Sequence, residues 1–193
     1  MMMPIIDEKG ALELMLERIS KLELDQPYSI IVATTNLKQD EIIYKTCRKL
    51  GVACYQGHPT DVLDRYYNAA KLGNDKPNII VRLTGDCPLH DVNVIKQVVD
   101  YFIQNNVDYV SNTDPPTYPD GLDVEVMSYK ALESAYNYAK NGIEREHVSP
   151  YIRQNKDQFK QLNYTDRQDN SKYRWTLDEP EDFEFIKKVY ENL

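Results

Sequence analysis

The sequence predicts an α/β sandwich built on a parallel sheet, and three observations predict it. Apolar, largely β-branched runs recur at 28–33, 52–55, 78–84 and 107–110. Stretches with apolar residues at helical spacing lie between them, so strands and helices alternate through the first two thirds of the chain. The third observation is size: 193 residues make one domain, large enough to bury a sizeable core.

Taken in order, residues 11–23 place Leu12, Leu16, Ile19 and Leu22 on one helical face after Gly10. The strand at 28–33 ends in the polar turn Thr34-Thr35-Asn36. A helix over 38–50 closes at Gly51, placed for the left-handed C-terminal residue. After the strand at 52–55, Thr60 or Asp61 caps a helix running to about 72. The strand at 78–84 then stops at Gly85-Asp86-Cys87-Pro88, where Gly85 lets the backbone turn and Pro88 blocks continuation. A helix over 91–105 and a strand over 107–110 follow, then the rigid turn-rich loop 114–121. Residues 122–127 alternate apolar and acidic as a half-buried strand does. Helices are predicted over 128–140 and 144–155, strands over 158–164 and 173–177, and a last helix over 179–192 with Pro180 in its first turn.

Composition narrows the function. The net charge is −8 and no Lys/Arg block occurs, which argues against a nucleic-acid partner. An acidic chain that takes a small anion needs local cations or a bound metal to hold it. The three cysteines have no metal-site spacing and form an odd set, which predicts reduced thiols and a cytoplasmic protein. The opening Met-Met-Met-Pro-Ile-Ile lacks a signal peptide's length and basic flank, and no apolar run reaches membrane-spanning length.

Several polar groups stand where a plain fold does not need them. Asp86 sits at the carboxyl edge of the sheet, where open α/β sheets bind ligands; it is either a ligand for a hard cation such as Mg²⁺ or a helix cap. Asp178 occupies the N-cap position of the last helix and meets Asp86 if strand 173–177 lies beside strand 78–84. Asp123 and Glu125 project from one strand face about 7 Å apart, toward solvent or into a pocket walled by the loop before them. His147, in Glu144-Arg145-Glu146-His147, is a general base, a substrate contact or part of a solvated helical turn. Arg65 either pairs with Asp61 one turn away or contacts a phosphate, ribose or base. Arg82, on an otherwise apolar strand, must be paired or must face a ligand. Cys87 has no histidine near it in sequence to make it a nucleophile, and His58 and His90 are given no role.

Together these motifs match a known pattern. Gly57-x₃-Asp61-Val-Leu-Asp-Arg65-Tyr-Tyr, Arg82-Leu-Thr-Gly-Asp86-Cys-Pro-Leu, Asp108-Tyr-Val-Ser-Asn112, Gly121-Leu-Asp-Val-Glu125, Glu144-Arg-Glu-His147-Val-x-Pro-Tyr-Ile and Trp175-Thr-Leu-Asp178-x-Pro-Glu-Asp-Phe stand in this order over nearly the whole chain. The sequence resembles the SpsF family (spore coat polysaccharide biosynthesis protein F), grouped with the cytidylyltransferases that make CMP-activated acidic sugars. The resemblance implies a Rossmann-like three-layer α/β/α sandwich with a mostly parallel sheet, of the nucleotide-diphospho-sugar transferase type. It implies CTP and a sugar acceptor as substrates and Mg²⁺ held by Asp86 and Asp178 as the catalytic pair. Asp61 and Arg65 would then border the nucleotide, beside Arg82, and Asp123, Glu125 and His147 would face the acceptor sugar. A homodimer using the 113–155 region is a further expectation.

Family members open with a strand and a loop resembling Ile-Ile-Gln-Ala-Arg-x-x-Ser-x-Arg-Leu-Pro-Gly-Lys, whose backbone N–H groups, Arg and Lys cradle the triphosphate. This sequence starts at residues corresponding to those just after that loop. The expectation is a single N-terminally truncated domain with a gap between two strands and weak CTP binding. Two other readings stay open: a glycosyltransferase that consumes a sugar nucleotide on a related fold, and a partner subunit that kept the fold without its activity.

Overall fold

The hairpin β1 (Pro4–Ile6) and β2 (Lys9–Gly10) leads directly into α1 (Ala11–Ile19) in the computed structural model, which describes residues 3–73 and 76–192. Met1 and Met2, the start of the opening run read above as no signal peptide, lie outside the described residues. The chain continues through β3 (Ile31–Thr35), α2 (Glu41–Leu50), β4 (Ala53–Gly57), α3 (Val62–Ala69), β5 (Ile79–Arg82) and α4 (Val92–Asn105). Then come β6 (Tyr109–Ser111), β7 (Glu125–Ser128), α5 (Tyr129–Tyr138), α6 (Gly142–His147), α7 (Pro150–Gln154), β8 (Gln161–Asn163) and α8 (Pro180–Glu191).

The α/β reading holds, but the sheet is mixed where a mostly parallel one was expected. β7 runs antiparallel to β5 and β6, β8 is parallel to β6, and the order is β5-β7-β6-β8. β3 and β4 form a separate parallel pair, and among the described residues β3 and β5 do not pair with each other. The reversal comes from the connection: the loop after β6 returns the chain as β7 between its neighbours, without the crossover helix a parallel strand needs.

Register decides the faces. Arg82 and Ser111 both lie opposite Glu125, so these three share one face at the end of the sheet. On that face, Met127 and Tyr109 pack with Leu63 of α3, Leu132 of α5 and Ile152 of α7. On the other face, Val126 and Val110 pack with Met15 of α1 and with Ile95, Val98 and Val99 of α4. These two apolar layers leave the polar end of the first face as the place where charge is concentrated.

Several local expectations change. Thr34 and Thr35 belong to β3, because both find partners along β4. The strand read at 122–127 begins only at Glu125, because the buried Asn112 side chain satisfies the backbone before it: its amide donates to the Leu122 carbonyl and its oxygen accepts from the Val124 N–H, each at 2.8 Å. Val148 splits the helix read at 144–155; its φ of 71° and ψ of −58° form a tight turn closed by Ser149 N–H donating to the His147 carbonyl at 2.8 Å. The strand read at 173–177 is an extended segment with one bridge, Asp120 to Arg174. Asp178 is not the cap of α8; Glu179 takes that position, and the Asp182 side chain reaches back to accept from the Glu179 N–H at 2.9 Å.

Candidate functional site

Two chain segments meet at the carboxyl edge of β5. The turn after β5 carries Asp86, and Asp86 accepts a backbone hydrogen bond from Leu177 N–H at 2.8 Å. Trp175 N–H donates to the Asp120 carbonyl at 2.6 Å and Asp120 N–H to the Tyr173 carbonyl at 3.0 Å, which docks 173–177 against the loop that precedes β7. Gly121 permits this approach: its φ is 104°, and a Cβ there would stand 2.6 Å from the Trp175 carbonyl carbon. The expected adjacency of the Asp86 and Asp178 segments is therefore present, carried by an extended segment and not by a strand.

Between the two aspartates lie two buried side chains. The Cys87 thiol donates to an Asp86 oxygen at 3.4 Å and lies 3.8 Å from the Thr176 hydroxyl, which in turn lies 3.4 Å from Asp178 Oδ2. Burial pushes the Cys87 thiol up to about 12, so it stays protonated and acts as a spacer, not a nucleophile. Asp178 is exposed and its Oδ2 takes Arg174 Nη2 at 2.6 Å. The same guanidinium reaches Asp120 and Asp182, and the Asp182 carboxyl is held down to about 2 by Arg174 and then by the Glu179 N–H. Arg174 carried no signal in the sequence beyond its spacing of four before Asp178.

Asp123 lines a cavity of about 240 Å³ together with Thr113, Tyr118, Asp120 and Ser171, so the loop before β7 does wall a pocket. Its carboxyl is raised to about 6, first by burial and then by the charges of Asp120 and Glu125, with Asp86 adding to them. A carboxyl at that level exchanges its proton near neutrality.

Glu125 points elsewhere. It is 6% exposed, its Oε2 accepts from Arg82 and its Oε1 from the Tyr109 hydroxyl. The solvated outer face expected as one alternative is excluded for Glu125, and Arg82 is paired, as a charge on an apolar strand must be. Arg82 also lies over the Tyr66 ring at 5.8 Å.

Asp61 and Arg65 do not form the one-turn ion pair. Asp61 caps α3 by accepting from Asp64 N–H at 2.9 Å and takes Arg145 of α6 through Nε at 2.9 Å and Nη2 at 2.6 Å. Both Arg145 donors converge on Asp61 Oδ2 while Oδ1 keeps the helix cap, a division of the two oxygens that leaves Arg65 no role at this carboxylate. Arg65 instead holds the carbonyls of His58 and Pro59. His147 ends α6 and is exposed. His58 caps the turn, its Nδ1 accepting from the Asp61 N–H at 3.0 Å. His90 is buried, at 1% exposure, and burial lowers it to about 4.

The sequence expectation of a metal site names two carboxylates, Asp86 and Asp178. Among the described residues no group of three or more His, Cys, Asp or Glu side chains is arranged to hold an ion. Two carboxylates completed by water and substrate oxygens are nonetheless the usual protein share of an Mg²⁺ site, and among the described residues the Asp86 carboxyl takes a hydrogen bond from the weak Cys87 donor alone. No described helix is long and apolar enough to cross a membrane.

The geometry has counterparts. A family model described as Cytidylyltransferase matches residues 8–193. The uncharacterized protein MJ1063 of Methanocaldococcus jannaschii is 44% identical over 156 residues, which is 80% of this chain and 61% of that protein. The spore coat polysaccharide biosynthesis protein SpsF of Bacillus subtilis is 29% identical over 171 residues, covering 84% of this chain and 67% of that one. A solved structure of a cytidylyltransferase from Leptospira borgpetersenii superposes with a TM-score of 0.88 at 34% identity, covering 96% of this chain and 77% of that one.

Proposed function

The chain belongs to the cytidylyltransferase family, and on that premise we propose that it transfers CMP from CTP to a sugar in the building of a surface polysaccharide, on a Rossmann-like three-layer sandwich that holds the β3–β4 pair and the four-stranded sheet. The observation that carries the reading is the convergence of Asp86, Asp123 and the 174–178 segment at one edge of the sheet. The likeness to SpsF supports the polysaccharide setting. Free thiols at all three cysteines fit a cytoplasmic enzyme.

The reaction is attack of a sugar oxygen on the α-phosphorus of CTP, with pyrophosphate leaving. Such transfer depends mainly on positioning and on neutralising charge. Asp86 and Asp178 would hold Mg²⁺, which would supply a counter-charge to the phosphates. Arg174 keeps Asp178 and Asp182 from repelling each other, so the acidic rim is preset. Asp123, ionised above pH 6, would take the proton from the attacking hydroxyl, and its raised carboxyl supports that role. Arg65 and the Asp61–Arg145 pair fix the wall bordering the nucleotide.

The test is pyrophosphate release from each nucleoside triphosphate with Mg²⁺ and a panel of acidic sugars, run on this chain and on a version extended at its N-terminus by the family loop. CTP-specific release is expected. Asp86→Asn and Asp178→Asn should each lower it by at least about 10²-fold. Consumption of a sugar nucleotide in place of CTP would establish the glycosyltransferase alternative instead.

A further inference from the structure

The chain carries a net charge of −8, yet one of its cavities is lined by cations. It measures about 230 Å³ and opens beside β6 and β8. Arg153, Lys156 and Lys160 line it, against a single acid, Asp114. Asp114 accepts from Arg153 Nη2 at 3.1 Å, which holds that guanidinium at the rim, while the two lysines make no ion pair among the described residues. Ser111 and Asn163 add neutral hydrogen-bonding groups, and their side chains meet at 3.5 Å on the floor. The floor adjoins the candidate site: Tyr109 lines the cavity and its hydroxyl donates to Glu125, whose other oxygen takes Arg82.

We infer that this cavity seats the anionic group of the acceptor, a carboxylate or a phosphate borne by a sugar. Arg153 offers a fork suited to either oxyanion, the lysines offer point charges, and Ser111 and Asn163, bonded to each other, with Asn163 also donating to the Pro115 carbonyl, form a fixed polar floor beneath them. The cavity lies on the face of the sheet that carries Glu125, so a sugar anchored here extends along that face toward the edge holding Asp123 and Asp86. Naming the ligand an acceptor rests on the cytidylyl transfer proposed above; the anion seat itself rests on the lining of the cavity.

The test is an NMR titration of the ¹⁵N-labelled chain with sodium phosphate, with glucuronate and with glucose, alongside calorimetric titration with CTP and Mg²⁺. Phosphate or glucuronate should shift the side-chain amides of Gln161 and Asn163 and the backbone of 153–163, and glucose should not. The anion that binds more tightly identifies the acceptor's charged group. Lys156→Glu combined with Lys160→Glu should weaken anion binding about tenfold or more and leave CTP affinity unchanged. Shifts elsewhere, equal shifts with glucose, or undiminished binding in the double variant would overturn the assignment. A parallel loss of CTP affinity would overturn it too, since the cavity would then hold nucleotide phosphates. Anion binding here in a chain that transfers nothing from CTP would leave the seat standing and remove the cytidylyl reading.

Discussion

Asp123 has a consequence for stability that can be read against pH. Its folded carboxyl titrates at about 6, above the ordinary value of 3.8, so folding favours its protonated form. That contribution is fully present below pH 4 and is lost as pH rises through 6. Asp123→Asn should therefore raise the Tm relative to the parent at pH 7.5 and leave it nearly level at pH 4, measured by thermal denaturation. The same carboxyl should give pyrophosphate release an acid limb near pH 6 that Asp123→Asn abolishes with a loss of roughly 10²–10⁴. Glu125 behaves differently because it is already satisfied. Replacing it with Gln leaves the half-buried Arg82 without its counter-charge and should cost about 3 kcal/mol in urea unfolding, while Arg82→Met combined with Glu125→Leu should cost less than that single change. The sequence marked both acids as out of place on an alternating segment. It did not separate their roles, because that depends on Asn112 ending the ladder one residue short of Asp123's neighbour.

Among the elements, the extended segment 173–177 decides whether Asp178 stands near Asp86. Its docking rests on backbone bonds to Asp120 and Asp86 and on the bare α-carbon of Gly121. Gly121→Ala should cost about 2 kcal/mol and shift the fluorescence of Trp175, the single tryptophan, toward the red as the segment lifts. Catalysis should fall with it, although no acid has been changed. Local pattern made most elements legible: Gly51 adopts the left-handed conformation its spacing predicted, and Asp61, one of the two caps expected there, caps α3. What pattern misread depended on distant partners. The 173–177 run has a strand's composition but pairs through one bridge, and Asp61 prefers Arg145, 84 residues away, to the arginine one turn along. Neither choice is written in a window of adjacent residues.

At the scale of the molecule, the separation of the β3–β4 pair from the four-stranded sheet predicts uneven protection. Cys47 of α2 packs in a small cluster with Leu12 and Leu16, whereas β6 and β7 lie within the two larger clusters. Native-state hydrogen exchange should find the amides of β3, β4 and α2 opening at lower free energy than those of β6 and β7. Alternation of strands and helices was enough to predict the fold class, but the direction of β7 was not, since strand direction follows from the connection and not from side-chain period. One further feature ties the molecule's walls together. Val148 holds an unfavourable backbone conformation for a β-branched residue, yet its side chain is wholly buried against the cluster containing Leu132 and Ile152. This one buried turn joins α6, whose Arg145 pairs with Asp61, to α7, whose Arg153 lines the cationic cavity, so the orientation of both arginines depends on the same residue, and Val148→Ala should loosen the two helices together, read as faster hydrogen exchange in both.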